Sequence, residues 1–148
     1  MTITVSIQKL NHARDLDLPF YATELSAGMD LSAAIAEDII LNPGKRCLVP
    51  TGISIELPKG CEAQIRSRSG LSIKNGVIVL NAPGTIDADY RGEIIVIMIN
   101  LGEEPFTITR GMRIAQMIVA PFAKVEWQEN QNLSSTERGA QRFGSTGL

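Results

Sequence analysis

The sequence predicts an all-β fold, a jelly roll or β-barrel, with one very short helix and a flexible C-terminal tail. Three observations carry this. Apolar and polar residues alternate along much of the chain, turn signals recur at short intervals between the alternating runs, and no long segment repeats its apolar residues at helical spacing.

In chain order, Ile3, Val5 and Ile7 share one face of a strand, as do Ile53, Ile55 and Leu57, then Cys61, Ala63 and Ile65. Val77 to Leu80 and Ile94 to Ile99 are continuous apolar runs and predict strands buried on both faces. Phe106 with Ile108, the run from Ile114 to Val119, and Val125 with Trp127 complete the series. Asn42-Pro43-Gly44, Pro58-Lys59-Gly60, Asn75-Gly76, Pro83-Gly84, Arg91-Gly92, Leu101-Gly102 and Arg110-Gly111 separate the runs as turns. The one helical candidate, Leu71 to Lys74, is entered from Ser69-Gly70 and stopped by Asn75-Gly76. After Trp127 the composition shifts to Asn, Gln, Ser, Thr and Gly, which cannot bury enough apolar surface to order itself. This divides the chain into a β-domain, residues 1–127, and a flexible segment, residues 128–148.

A chain of 148 residues fits one domain, and its 44% hydrophobic content supplies a core without disulfides. Cys47 and Cys61 form no Cys-x-x-Cys pair, and with His12 as the one histidine they predict buried or half-buried reduced thiols rather than a zinc site. A net charge of −2 argues against a general grip on nucleic acid. Met1 leads directly into an alternating run rather than an apolar leader, and Ile94–Ile99 is far too short to span a bilayer. The expectation is a cytoplasmic protein with neither nucleic-acid nor membrane partners.

Four segments carry chemistry. In Ala27-Gly28-Met29-Asp30-Leu31, small residues let the backbone turn and present one carboxylate, although Asp30 suits a turn cap equally well. Arg66-Ser67-Arg68-Ser69-Gly70 sets cations and hydroxyls before a helix start, where unpaired N–H groups favour phosphate; an ordinary serine cap with solvated arginines is the plain alternative. The connection from Asn81 to Gly92 is long for a hairpin and dense in specific groups. Asn81 can read a base edge, Tyr90 offers a flat face to a sugar, and Asp87 and Asp89, two apart, point to opposite sides of an extended chain. Aspartate is also ordinary turn chemistry. Finally, Thr136 to Gly147 has glycines at the spacing of a phosphate loop but lacks its lysine and its following helix. Exposed glycine N–H groups, arginine and Phe143 together suit a lid that orders on a nucleotide, against the simpler reading of a disordered terminus.

In order, these segments resemble the five motifs of the trimeric dUTP pyrophosphatases (dUTPases). The resemblance runs from Ala27-Gly28-x-Asp30-Leu31, through Gly84-x-Ile86-Asp87-x-Asp89-Tyr90-Arg91-Gly92 and Arg110-Gly111-Met112-Arg113-Ile114-Ala115-Gln116, to Arg138-Gly139…Phe143-Gly144-Ser145-Thr146-Gly147. It implies a dUTPase-like jelly-roll homotrimer with shared active sites, hydrolysing dUTP to dUMP and pyrophosphate. The physiological result it implies is limited uracil incorporation into DNA and a supply of dUMP for thymidylate synthesis. It implies Mg²⁺ held chiefly by the triphosphate, with Asp30 binding it through water. Asp87 is then the general base for in-line attack of water on the α-phosphorus, and Tyr90 packs under the deoxyribose and leaves no room for a 2′-hydroxyl. Asn81 reads uracil; Ser69, Gly70 and Gln116 hold phosphates, with Arg68 arriving from a neighbouring subunit. Arg138 closes on phosphate and Phe143 on the base, with Gly144 and Ser145 completing the tail's substrate contacts.

Two positions depart from the pattern. Ser67 stands where the second motif usually has proline, removing a pre-set backbone restraint, and Met112 stands where the fourth usually has an acid. A dCTP deaminase of the same fold class would need a glutamate base near the cytosine amine and no Phe143 tail. A catalytically silent binding protein would have lost Asp87, Tyr90 or the terminal motif, and all three are present.

Overall fold

The computed structural model describes residues 2–144, 146 and 147. Its strands pair antiparallel throughout and fall into four sheets. Strand β1 (Ser6–Lys9) pairs with β5 (Ile53–Glu56), and β3 (Ile39–Leu41) with β10 (Phe106–Ile108). Strands β4 (Arg46–Pro50), β9 (Ile95–Asn100) and β7 (Val77–Val79) make a sheet in the order β4-β9-β7. Strands β2 (Met29–Ser32), β11 (Arg113–Pro121), β6 (Cys61–Arg66) and β8 (Gly84–Ile86) make the largest, in the order β2-β11-β6-β8. The all-β expectation holds, and the arrangement is that of a jelly roll; the pairing does not close into one continuous barrel.

The short helix is present as α1 (Ser69–Asn75). It stops because Gly76 takes a left-handed φ of 66° and returns its N–H to Leu71 O and Ser72 O. Any side chain there would also collide with the backbone of Gly102. One 3-10 turn, Asn11–Ala13, precedes the second strand.

Alternation did not mark every strand correctly. The first begins at Ser6 rather than Ile3, because its partner ends at Glu56 and leaves Ile3 to Val5 without a ladder. Val125 and Trp127 form no strand; they are 61% and 92% exposed, beyond the end of β11 at Pro121. The segment read as one connection between Asn81 and Gly92 contains β8, whose three residues are too few to show a period.

Leu31, Val49, Val77, Val79, Val96 and Met98 lie at the centre of one core cluster. Cys61 is buried and Cys47 half-buried, both free, as expected, and burial pushes the Cys47 thiol up. Coverage of β7 and β9 on both faces is not met within the chain. Their inner face is the core, but the outer face of the β4-β9-β7 sheet carries Leu48 (63% exposed), Ile95 and Leu80, with Ile78, Ile97 and Ile99 half-buried between them. The register aligns Leu48 with Ile97 and Ile78 with Ile99, so the apolar surface is continuous across the strands. Among the described residues, no helix is long and apolar enough to cross a membrane.

One buried polar side chain knots these sheets together. Asn100 has no solvent exposure; its amide N–H groups donate to Leu41 O (2.9 Å) and Glu104 O (2.8 Å), and its Oδ1 accepts from Gly102 N (2.8 Å). Removing the side chain takes the partner from three backbone groups, one buried and two part-buried. Asn100→Ala is expected to cost about 3 kcal/mol, seen as a lower urea midpoint at matched protein concentration.

Candidate active site

The first group of predicted residues is brought together by the two ladders of β11. Gln116 lies opposite Asp30 of β2 on one side and opposite Arg66 of β6 on the other, so the three side chains share a face. Asp30 sits in a strand rather than the tight turn expected of it. The small residue before it serves another purpose: a Cβ on Gly28 would collide with Gln116 Oε1, so glycine lets the amide pass over the backbone. Gln116 Nε2 then donates to Ser67 O at 3.0 Å.

The Asp30 carboxylate, only 14% exposed, is held by two guanidinium groups: Arg68 Nε at 3.2 Å and Arg113 Nη1 at 3.0 Å. Arg68 also donates to Arg113 O at 3.0 Å, so in this structure it is engaged with its own chain. Arg113 was not singled out from sequence. Its role depends on the β2–β11 register, and no local signal marks it.

Ser69 and Gly70 open α1 and are exposed. The serine-cap alternative is not realised, since Arg68 occupies the cap position and no side chain bonds the helix N–H groups. Where proline was expected, the Ser67 hydroxyl accepts from Val79 N at 2.9 Å. A hydrogen bond thus ties this turn to β7 in place of a ring constraint. At the other departure, Met112 packs on the core, and the turn is ordered by backbone bonds: Met112 N to Thr109 O, Gly111 N to Ala33 O and Ala33 N to Met112 O.

The second group lies on the far side of β6. Asp87 directly follows β8, which pairs Ile86 with Ala63, three residues along β6 from the Arg66–Gln116 pair. At the strand rise this is roughly 10 Å, far beyond the reach of one carboxylate's hydrogen bond. Asp87 and Tyr90 line a cavity of about 200 Å³ together with Glu93 and Ile94. Asp87 also borders a larger open cavity of about 570 Å³ with Asp89, Lys59 and Phe122. Asp87 borders both cavities and Asp89 only the larger, so the two aspartates are not sent to opposite sides: the chain turns at Ala88–Asp89 instead of running extended, and alternation does not apply. Asn81 lies over Gly84, its Nδ2 3.3 Å from where a Cβ would stand. Tyr90 O–H donates to Glu93 O at 2.9 Å.

The third group makes no hydrogen bond to either of the others among the described residues. Every described residue from Pro121 onward is exposed, including Arg138, Gly144 and Phe143. The tail's hydrogen bonds are local, Gly139 N to Thr136 Oγ1 and Gln141 N to Arg138 O. Ser145 lies outside the described residues.

Among the described residues no three His, Cys, Asp or Glu side chains gather to cage a metal ion. Asp30 offers one carboxylate, already paired with Arg68 and Arg113, so it would meet a cation only through water. That suits Mg²⁺, which keeps its waters and takes one or two carboxylates beside phosphate oxygens.

The dUTPase family model matches residues 14–147. Deoxyuridine 5'-triphosphate nucleotidohydrolase of Brucella melitensis is 58% identical over 146 residues, covering 97% of this chain and 93% of that protein. The protein of that name from Anaplasma marginale is 54% identical, covering 98% and 99%. A mutant dUTPase of Staphylococcus bacteriophage 80alpha with dUpNHpp superposes with a TM-score of 0.88 at 25% identity, covering 99% of this chain and 100% of that one. A mutant dUTPase of phage phi11, described with a structural Mg(II) ion, shares the fold with a TM-score of 0.77 at 21% identity, covering 87% and 97%.

The Ser67 hydrogen bond gives a local test. Ser67→Ala removes the acceptor for Val79 N–H at a cost of about 1 kcal/mol. The Val79 amide is expected to exchange faster with D₂O while the amides of β9 keep their protection, as read by NMR.

Proposed function

This chain belongs to the dUTPase family, and we propose that it hydrolyses dUTP to dUMP and pyrophosphate. The observation that carries the reading is the division of the site's chemistry into three separated groups on a chain that retains all five family motifs. Asp30, Arg68, Ser69, Gly70 and Gln116 form a cationic and amide-lined end suited to phosphates. Asn81, Asp87 and Tyr90 form a hairpin end suited to a nucleoside. Arg138, Phe143 and Gly144 are exposed on a tail that would reach either, and the motif's Ser145 would add a substrate contact. A carboxylate that cannot reach the phosphate groups of its own chain becomes competent when a neighbouring subunit supplies them.

In this reading Asp87 accepts a proton from the attacking water and aims it in line at the α-phosphorus. Tyr90 supports the deoxyribose and Asn81 pairs with the uracil edge. Phosphate oxygens compete with Asp30 for Arg68 and Arg113. Asp30 would hold Mg²⁺ through water, and the ion, when bound, supplies charge neutralisation on the triphosphate. A positioned base contributes roughly 10²–10⁴-fold, so orientation and charge neutralisation carry the larger share. Residues 1–127 serve as the catalytic domain, and residues 128–148 as a lid that excludes water and adds Arg138 on closure.

The outer face of β4-β9-β7 supports the homotrimer reading. Leu48, Ile78, Leu80, Ile95 and Ile97 present apolar surface that the described residues do not cover, and the same sheet from each of three copies, packed about a threefold axis, would cover it. The cell compartment consistent with this substrate and with free cysteines is the cytoplasm.

Pyrophosphate release from a deoxynucleotide panel with Mg²⁺ is the direct test. Wild type is expected to cleave dUTP in preference to dCTP and dTTP, releasing no ammonia from dCTP, and Asp87→Asn to lower kcat by roughly 10²–10⁴-fold. Equal rates for the two proteins would remove Asp87 from the mechanism. Deleting residues 128–148 is expected to leave a folded assembly with little turnover. Light scattering at micromolar protein is expected to give three chains per particle, and Leu48→Glu to lower that number and activity together.

A further inference from the structure

We infer that Glu93 is a positioning residue for the Tyr90 ring, and through that ring a determinant of selectivity for deoxyribose over ribose. The inference rests on the reading of Tyr90 as the support for the sugar. Tyr90 is fixed at both ends: its N–H donates to Asp87 O at 3.1 Å, and its phenol donates to Glu93 O at 2.9 Å. Between them the ring folds over Gly92, where any Cβ would collide with the phenol oxygen. The ring therefore stands wherever the backbone of residue 93 stands.

That backbone is anchored by its own side chain. Glu93 Oε1 accepts from Gly52 N at 2.8 Å and lies 2.7 Å from His12 Nε2. The carboxylate is 20% exposed, so it has exchanged most of its water for these two partners. Its neighbour is tied to the same turn: Thr51 Oγ1 and Thr51 N both donate to Ile94 O, and Ile94 N donates to Ile53 O. His12 is held in turn, its carbonyl accepting from Arg110 Nη2 at 2.7 Å while the same guanidinium binds Asp15. That ion pair holds the Asp15 carboxyl below the usual carboxylate range. Gly52 presses on this turn so closely that a Cβ on it would strike the Ala13 methyl.

Glu93 shares the Asp87–Tyr90 cavity, yet the oxygen that faces Gly52 and His12 is committed to them. This is the geometry of a strut, not of a second base. Loosening it lets the ring tilt and opens room beside the sugar's second carbon.

The experiment measures kcat/KM for dUTP and UTP in the full-length protein. The ratio of the two is independent of the fraction of active enzyme, so partial unfolding alone leaves it unchanged. Glu93→Ala and Tyr90→Phe are each expected to lower the dUTP/UTP ratio by about tenfold, the loss of one hydrogen bond's worth of positioning. Their double variant should lose little more than either alone. Glu93→Gln keeps an acceptor for Gly52 N–H and should hold the ratio within about threefold of wild type. His12→Ala removes one of the carboxylate's two partners and keeps Gly52; it is expected to lower the ratio to between the values of Glu93→Gln and Glu93→Ala, and it serves as the probe if Glu93→Ala does not fold. An unchanged ratio in Glu93→Ala, or in His12→Ala and Tyr90→Phe together, overturns the positioning role while the dUTPase reading stands. Failure of wild type to cleave dUTP overturns both.

Discussion

Strand β11 is hydrogen-bonded along both edges, to β2 and to β6, and much of the site depends on the registers of those two ladders. Because side chains alternate faces with a period of two, a slip of one residue would send Gln116 to the opposite face. It would take Gln116 from Asp30 and from Ser67 O together. The register is protected by burial: Ile114, Ala115 and Met117 lie in the core, so a slip would expose them. The core thus places polar groups it never touches. The bulge between Arg113 and Ala115 adds one local freedom, and it is there that Arg113 swings to the Asp30 carboxylate.

The same sheet keeps two of the site's groups of residues apart. Strand β6 lies between β11 and β8, so the phosphate-end cluster and Asp87 stand on opposite flanks of one strand as well as apart along it. Rigid ladders cannot bend to close that gap. The outer face of β4-β9-β7, left apolar by its sequence, offers a way to bring in another copy. In the proposed trimer, assembly and catalysis are coupled by geometry: the apolar face and the separated groups belong to one folded unit.

The two departures from the family pattern show how a local restraint can be exchanged. Proline restricts backbone through its ring, whereas Ser67 restrains the same turn by accepting the free N–H on the edge of β7. Met112 contributes apolar packing where an acid would contribute charge, and the backbone bonds around Gly111 hold the turn. Neither substitution faces the cavities that Asp87 lines.

Much of this was legible in the sequence because it is local. Alternation over Cys61–Ile65 marks a strand, Asn75-Gly76 ends a helix by glycine's access to left-handed φ, and a polar tail after Trp127 lacks the means to bury itself. The motif residues themselves, Asp87 above all, were readable as residue types in a fixed order. Their partners were not. That Gln116 faces Asp30, that Arg113 shares its carboxylate with Arg68, and that Glu93 braces Tyr90 from Gly52 and His12 are facts about residues far apart in the chain. A period of two reports which side chains share a face but carries no information about which strand lies alongside or in what register. Those choices were made by the packing of the core, and only the tertiary structure records them.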